Sequence, residues 1–509
     1  MPMSEQTIRR SVLHLFFDAL FRPKQGHSRD RETRLSILPR RPKADDAEGW
    51  CEYWRIQKQP WRTEPEIDAK RQAELGKCRD IVPDIKHSIY PFKDMQLSRA
   101  DVEWLLATHE DGRGPVDWSD VSQRERQGLD LRGADLHGVD LSGLPLARIL
   151  GGLTGGNWTN ITLEQRDLAA VHMEGAYLKE VHLEGAILGI AYLERAFLGE
   201  ANLEQSYLRA IHLEGADLGR AHLESANLGR AHLERAYLRE ARLEGANLAE
   251  AHLEGASLRE AYLYNKSKGN CSEGSPTVLN PADLRGAYFD AATNLEGIKL
   301  GDGEYGFVPL ADVRWGNVNL TVVNWTKVKM LGDEYLARQV KKRDGSVKNR
   351  DERLDEYHAA VQANRKLAVA LRDQGLNEEA AHFAYRAQVL ERKVLWWQSK
   401  PLAYLFSSLL FFLAGYGYKP IRSIITYLLM IGVFAGAYYV LGLRESGPHH
   451  LAWYESLVVS LTAFHGRGFF AEQFKPGDPQ AFVGALEAVV GLFIEISFIA
   501  TFTHRFFGK

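Results

Sequence analysis

The residues with the most to offer chemically stand near the end of the chain. An apolar run over 456–464 leads into Phe464-His465-Gly466-Arg467-Gly468, a turn rich in glycine. Held at the depth of a membrane, such a turn presents backbone carbonyls and charged side chains to an ion, and irregular backbone survives there only inside protein or beside a water-filled cavity. Thr462, Phe464, His465, Gly466, Arg467 and Gly468 are therefore the candidate loop. The apolar run that follows contains Glu487, Gly491 and Glu495, and Gly484, Ala488, Gly491 and Glu495 share one helical stripe whose small members let a second helix approach. A carboxylate facing lipid is costly, so Glu495 must face a bundle interior or water. Two readings stand for it: a charge lining a pore together with Glu487 and Gly491, or a structural partner of Arg505 or of a neighbouring Ser or Thr. A ring of Arg467 would repel cations unless each guanidinium turns toward Glu455 or Glu472. No nucleophile with its base, phosphate loop or metal-ligand set stands at working spacing, which predicts no catalytic residue, no metal and no cofactor.

A second recurring polar set depends on a repeat in the middle of the chain. Leu occupies every fifth position from 163 to 263, Met173 excepted, for 21 registers. Ala stands two places earlier, as at Ala216, Ala221, Ala226 and Ala231. A step of five fits neither the 3.6 of a helix nor the 2.0 of a strand, so these leucines mark the sides of a coil. Four fives, 20 residues, close one square turn, and stacked turns bury a continuous Leu column with Ala in the narrow gaps. Positions 20 apart then lie roughly 4.8 Å from each other, and His212, His232 and His252 form a ladder. Stacked imidazoles could hold an ion or titrate together. The plainer reading, a solvated polar column beside repeated Glu, is the one expected.

Ala216-Asp217-Leu218, Ala226-Asn227-Leu228 and Ala246-Asn247-Leu248 resemble the pentapeptide-repeat family, whose implied fold is a right-handed quadrilateral β-helix. The ruler also shows at Leu131, Leu136, Leu141 and Leu146, stops at a Gly-rich stretch around 151–156, and breaks again at 264–280. Weaker fives run through Leu284, Phe289, Leu310, Trp315, Leu320 and Trp325. Some pentapeptide proteins protect DNA gyrase by imitating duplex DNA. Residues 161–263 carry 17 acidic and 10 basic side chains, a net of -7, but Arg195, Arg209, Arg220, Arg230, Arg235, Arg239 and Arg242 interrupt the continuous negative face that such mimicry needs.

At roughly 150 residues per domain, 509 residues suggest about three domains. With 63 basic against 66 acidic residues there is no basic surface for a polyanion, and no nucleic-acid partner is expected. Three cysteines, Cys51, Cys78 and Cys271, stand far apart, which excludes a disulfide framework. Residues 423–443 form a 21-residue window without a charge, about 32 Å as a helix, and 481–503 is a second window interrupted only by Glu487 and Glu495. Lys419 and Arg422 precede the first span, and His504, Arg505 and Lys509 follow the second, which places both termini in the cytoplasm of a plasma (inner) membrane protein. The apolar run 401–418 lies between Lys400 and Lys419 and reads as an interfacial helix ending in a Gly415-Tyr416-Gly417 elbow. The stretch 12–21, with Leu13, Phe16, Phe17, Leu20 and Phe21 on helical spacing, is expected to pack against the protein.

Span, apolar dip, glycine turn, span resembles the ion-channel family with two transmembrane helices and a pore loop. Against the potassium filter Thr-Val-Gly-Tyr-Gly, Phe464 and His465 replace Thr and Val, and Arg467 replaces Tyr, so potassium selectivity is not expected. The organisation expected is mainly β plus α. It comprises a cytoplasmic α-rich domain over 1–126, a pentapeptide solenoid over 127–330 with an insertion at 264–280, and a helical hairpin over 331–400 resembling one tetratricopeptide unit. An interfacial helix and elbow over 401–420 and a channel-like module over 421–509 complete it. The function expected is an oligomeric membrane channel or pore, a tetramer by family resemblance, embedded in lipid, whose solenoid docks a cytoplasmic protein. The alternatives are a non-conducting membrane-anchored scaffold and a gyrase-binding DNA mimic.

Overall fold

The backbone answers the five-residue period with a corner. In every repeat from Gly175 to Glu260 the residue two places after Leu, or after Met173 in the first, takes a left-handed φ between 52° and 73°. The following Ala N–H donates back to that Leu or Met carbonyl, at 3.0 Å for Ala176 to Met173 and for Ala216 to Leu213. A positive φ at the third position of a four-residue turn marks type II, which favours glycine. Gly175, Gly185, Gly215, Gly245 and Gly255 supply it in five repeats, while Arg220, Arg230, Glu240 and Glu250 hold the same conformation at a cost of about 1 kcal/mol or more each.

The computed structural model describes residues 40–156, 161–263, 282–298, 300–302, 306–342, 346–444, 451–466 and 478–506. The stretch 12–21, the insertion 264–280, Cys271, Glu472, Arg467 and Gly468 lie outside the described residues. The chain divides into two compact units, 1–66 and 67–509. In the first, α1 (Ala47–Ile56) buries Trp50 and Trp54. The Arg62 guanidinium lies 3.4 Å from the centre of the Trp54 ring, a cation–π contact.

In the second unit the coils stack through parallel one-residue bridges, four to a turn. His172 bridges Tyr192, Tyr177 bridges Phe197, His182 bridges Asn202 and Ile187 bridges Tyr207, and each partner bridges again 20 residues on. Leu and Ala on either side of each bridging residue point inward and are buried through Leu263. The winding skips at two places. Asp135 bridges His172, 37 residues away, and Asn247 bridges Asp283, 36 residues away. The first skip contains α4 (Leu163–Asp167), where Leu163, the first register of the ruler, is 74% exposed on a helix instead of inside a coil. A five-residue count cannot tell an inward Leu from one on a short capped helix.

Both ends of the stack are covered. At the start, Leu97 N–H donates to Asp135 O and Asp135 N–H to Met95 O, so a segment ahead of the repeats pairs the open edge. That segment lies between α2 (Ala69–Arg79) and α3 (Arg99–Ala107), which Arg71 ties together through two bonds to Asp101, at 3.0 and 2.9 Å. At the far end α5 (Gly332–Arg338) precedes a hairpin of α6 (Arg350–Asp373) and α7 (Asn377–Trp397). Gln374, at the hairpin turn, donates to Val318 O at 2.6 Å and accepts from Leu320 N–H at 2.7 Å. One side chain thus completes two backbone groups of the last coil.

Asp333 of α5 is buried and accepts from Leu310 N–H at 2.6 Å. Burial pushes its carboxyl up to about 6. An unfolded Asp titrates near about 3.9, so between about pH 4 and 6 folding takes up a proton and stability falls as pH rises. The expected result is that Asp333→Asn, which keeps an acceptor for Leu310, is more stable than the wild type at pH 7 by up to about 3 kcal/mol. The advantage should vanish at pH 4. Urea unfolding at the two pH values checks it; an equal advantage at both would mean the charge is not the cause.

Beyond the hairpin come α8 (Pro401–Ala414), α9 (Pro420–Arg444), α10 (Trp453–Phe464) and α11 (Pro479–Phe506). Within them Ile421–Gly442 and Pro479–Ile499 are long and apolar enough to cross a membrane. Pro401 begins α8, where a missing N–H costs nothing, and Gly415 ends it at a left-handed φ of 52°.

Candidate functional site

The helices α9, α10 and α11 pack against one another, and their contacts give a direction. Val459 meets Phe434 and Tyr438, while Phe464 lies with Ile431 and has Tyr427 beside it, so α10 runs antiparallel to α9. Along α11, Ala481 lies with Val459 and Ile494 with Phe464, so α10 and α11 run parallel. Two successive parallel helices oblige the link between them to travel back along their length, about 20 Å at 1.5 Å per helical residue. The chain therefore enters and leaves this depth on the same side.

The loop and inner-helix residues fall as follows. Thr462 Oγ1 donates within α10, 2.9 Å from the carbonyls of Val458 and Val459. Phe464 is buried at the end of α10. His465 Nδ1 lies 2.8 Å from Leu461 O, while Nε2 lies 3.4 Å from the Tyr427 hydroxyl and 3.5 Å from Glu495 Oε1. Glu495 is thus brought to the loop itself. Gly466 takes a left-handed φ of 64°, which lets the chain turn away after α10. Glu487 is fully buried among the helices of its own chain, with Oε1 2.5 Å from Ser460 Oγ, which also lies 3.0 Å from Ile431 O. Gly491 is buried against α10, and a Cβ added there would stand 2.1 Å from the Phe464 carbonyl oxygen. Glu487 and Gly491 therefore hold α10 to its own subunit, and Ser460, a residue sequence reasoning missed, is their link. Its small polar side chain in an apolar run was the available signal.

The outward faces are apolar. Only 22% and 17% of the two long helical windows are buried. Leu428, Val433, Leu461, Phe482, Leu486 and Phe493 are exposed. On α8, Leu402, Leu405, Phe406, Leu409 and Phe412 make an exposed stripe, while Arg392 and Arg422 lie over the inward-turned Phe411.

The solenoid carries the other polar array. The rings of His172, Tyr192, His212, His232, His252 and Tyr288 stack in one column with centroids 4.8, 4.8, 4.7, 5.2 and 4.4 Å apart. A glutamate two residues after each coil's bridging position runs alongside. The hydrogen bond to Glu234 holds His232 above its ordinary value. Burial pushes the Glu234 carboxyl up, and the bond from His232 outweighs it.

A family model described as pentapeptide repeats matches residues 236–265 in eight copies. The chain carries pentapeptide repeats. Among solved structures, its pentapeptide winding is similar to HetL, a pentapeptide repeat protein involved in heterocyst differentiation regulation from the cyanobacterium Nostoc sp. strain PCC 7120. That match has 21% identity, covers 50% of this chain and 100% of that chain, and has a TM-score of 0.23. It is also similar to full-length QnrB1, a plasmid-mediated fluoroquinolone resistance protein, at 17% identity over 38% of this chain and 76% of that chain, TM-score 0.19. A third is the pentapeptide repeat protein Rfr23 from the cyanobacterium Cyanothece 51142, at 27% identity over 32% and 90%, TM-score 0.11. All three TM-scores lie below 0.5, and the roles named for those proteins are theirs. No curated protein matches the chain.

Proposed function

We propose that this pentapeptide-repeat chain is anchored in a plasma membrane by α9 and α11 and assembles, as several copies, around a water-filled pore. Both termini face the cytoplasm, where the solenoid docks a protein partner. The observation that carries this reading is the pair of long apolar helices left four-fifths unburied. A soluble protein's core helix of that composition would be enclosed, whereas lipid and other copies of the chain offer these faces what water does not. The dip of α10 between two parallel and antiparallel neighbours supports a pore in particular. Its last carbonyls end at the depth of Glu495 and need protein or water there. Four copies are the number the family resemblance suggests. The stripe on α8 fits the membrane surface, with Arg392 and Arg422 at its inner edge.

The non-conducting scaffold is the second reading, favoured by Glu487 being enclosed within one chain, which leaves fewer charges for a shared axis. Gyrase mimicry is not adopted, because arginines neutralise the wall glutamates in pairs: Arg220 with Glu240 at 3.1 Å, Arg230 with Glu250 at 2.7 Å and Arg242 with Glu224 at 3.0 Å. Reconstitution into liposomes decides between pore and scaffold. The expected outcome is ion flux above that of empty vesicles, with Glu495→Gln and Arg467→Ala shifting cation-to-anion preference in opposite directions. Absence of flux for every ion tested, from folded oligomers, leaves the scaffold.

A further inference from the structure

On the wall of stacked rings, six side chains from three consecutive coils form two groups. His212, Glu214 and His232 make one, Glu234, His252 and Glu254 the other, and in each group the ligand atoms lie within 4.8 Å of one another. His212, His232 and His252 face the glutamate of their own coil through Nδ1, at 3.3, 3.4 and 3.5 Å from Oε1. Elsewhere the same pairing is a shorter hydrogen bond, 3.0 Å at His172 and Glu174 and 2.9 Å at His182 and Glu184. Two ligands with bonds of about 2.1 Å to one tetrahedral ion stand about 3.4 Å apart. The three longer pairs have that separation.

The carboxylates also lack what would make a bland surface column stable. The Oε2 atoms of Glu214, Glu234 and Glu254 are buried without a hydrogen-bond partner among the described residues. No Lys or Arg forms an ion pair with these three among the described residues, although they repeat at the spacing of one coil. The neighbouring column shows the contrast: Glu224 stands beside His222 at 3.8 Å but already receives Arg242 at 3.0 Å. Three like charges at one coil spacing call for a counter-charge. Imidazole nitrogen combined with carboxylate oxygen suits zinc and the metals beside it in the first transition row better than calcium or magnesium.

We infer that this wall binds divalent transition-metal ions, one on His212, Glu214 and His232 and a second on Glu234, His252 and Glu254. Each ion takes the place of the proton between Nδ1 and Oε1 and receives its third ligand from the adjoining coil. Water completes the coordination. The third ligand closes by about 1 Å to reach bonding distance, which side chains left about a third exposed can do by rotation while the backbone ladder stays in place. Ions so held tie three coils together from outside.

The test uses the full-length chain free of any histidine tag, stripped with EDTA and titrated with zinc chloride against a chromophoric chelator. Saturable binding of two zinc ions per chain is expected. His232→Asn with His252→Asn removes one nitrogen ligand from each group, and Asn suits this wall position, since Asn227 and Asn247 occupy equivalent bridges and bond each other at 3.1 Å. That double variant should bind zinc at least about 100-fold more weakly, beyond the 10–100-fold that loss of an outer-shell partner brings, with its circular dichroism unchanged. His222→Asn, in the column already served by Arg242, should bind as the wild type does. Equal affinity in the double variant and the wild type, an equal loss in His222→Asn, or no saturable binding by the folded wild type each overturns the assignment.

Discussion

Replacing Leu233 with Ala should remove about 2–5 kcal/mol of stability. Leu233 is fully buried in the inward column, with Leu213 and Leu253 equivalent to it one coil away on either side. The backbone around the hole is fixed by bridges, Leu233 N–H to His252 O at 2.8 Å and His232 N–H to Ile211 O at 2.9 Å, so the coil cannot collapse inward to fill it. Because each coil touches only its neighbours, the damage falls on two interfaces instead of being spread through a large core. The Ala column has the opposite intolerance. Ala236 is fully buried in the narrow part of the coil, and a Leu there should cost about 1–3 kcal/mol by overpacking. Urea unfolding followed by far-ultraviolet circular dichroism measures both, with His222→Asn on the outer wall as the near-neutral reference. A loss below about 1 kcal/mol for Leu233→Ala would mean that the column is not the closed core described.

A single methyl group at Gly491 is expected to separate α10 from α11. The added Cβ meets the Phe464 carbonyl oxygen at 2.1 Å, and its other near contacts are the carbonyl carbon at 3.0 Å and the Phe464 ring at 3.2 Å. Two of those three atoms are backbone, so no rotamer change relieves the clash and the helices must move. Gly491→Ala should therefore destabilise the membrane module by about 1–3 kcal/mol. It also displaces the end of α10, where His465 meets Glu495. If that end lines a pore, liposome flux should fall about tenfold, the change that 1.4 kcal/mol makes in an equilibrium. Leu492→Ala, on the exposed face one residue along, serves as the comparison and should leave thermal unfolding in detergent within about 0.5 kcal/mol of the wild type. Equal melting of Gly491→Ala and wild type would show that the close approach is not needed.

The two sites differ in how far residue spacing could specify them. His212, His232 and His252 stack as a 20-residue coil requires, because the ladder repeats the same neighbour at each turn. The Glu oxygens behind them, buried and unpaired, depend on how tightly the corner packs and were not legible. In the membrane module the apolar lengths were plain, but the partner of Glu487 was not. Ser460 lies 27 residues from it, with no period relating the two. Likewise the last coil is completed by Gln374, more than 50 residues beyond Val318 and Leu320.

By itself the amino-acid order determined the winding of the solenoid, the residues inside it and the two stretches that avoid water, because each follows from a local repeat or from an unbroken apolar run. Only the tertiary structure decided that Leu163 leaves the winding, that Asp333 and Gln374 complete its far end, and that α10 and α11 run parallel with Gly491 between them. Those outcomes rest on single contacts between segments far apart in the chain, where shape and hydrogen-bond completion choose among many partners that spacing alone leaves equal.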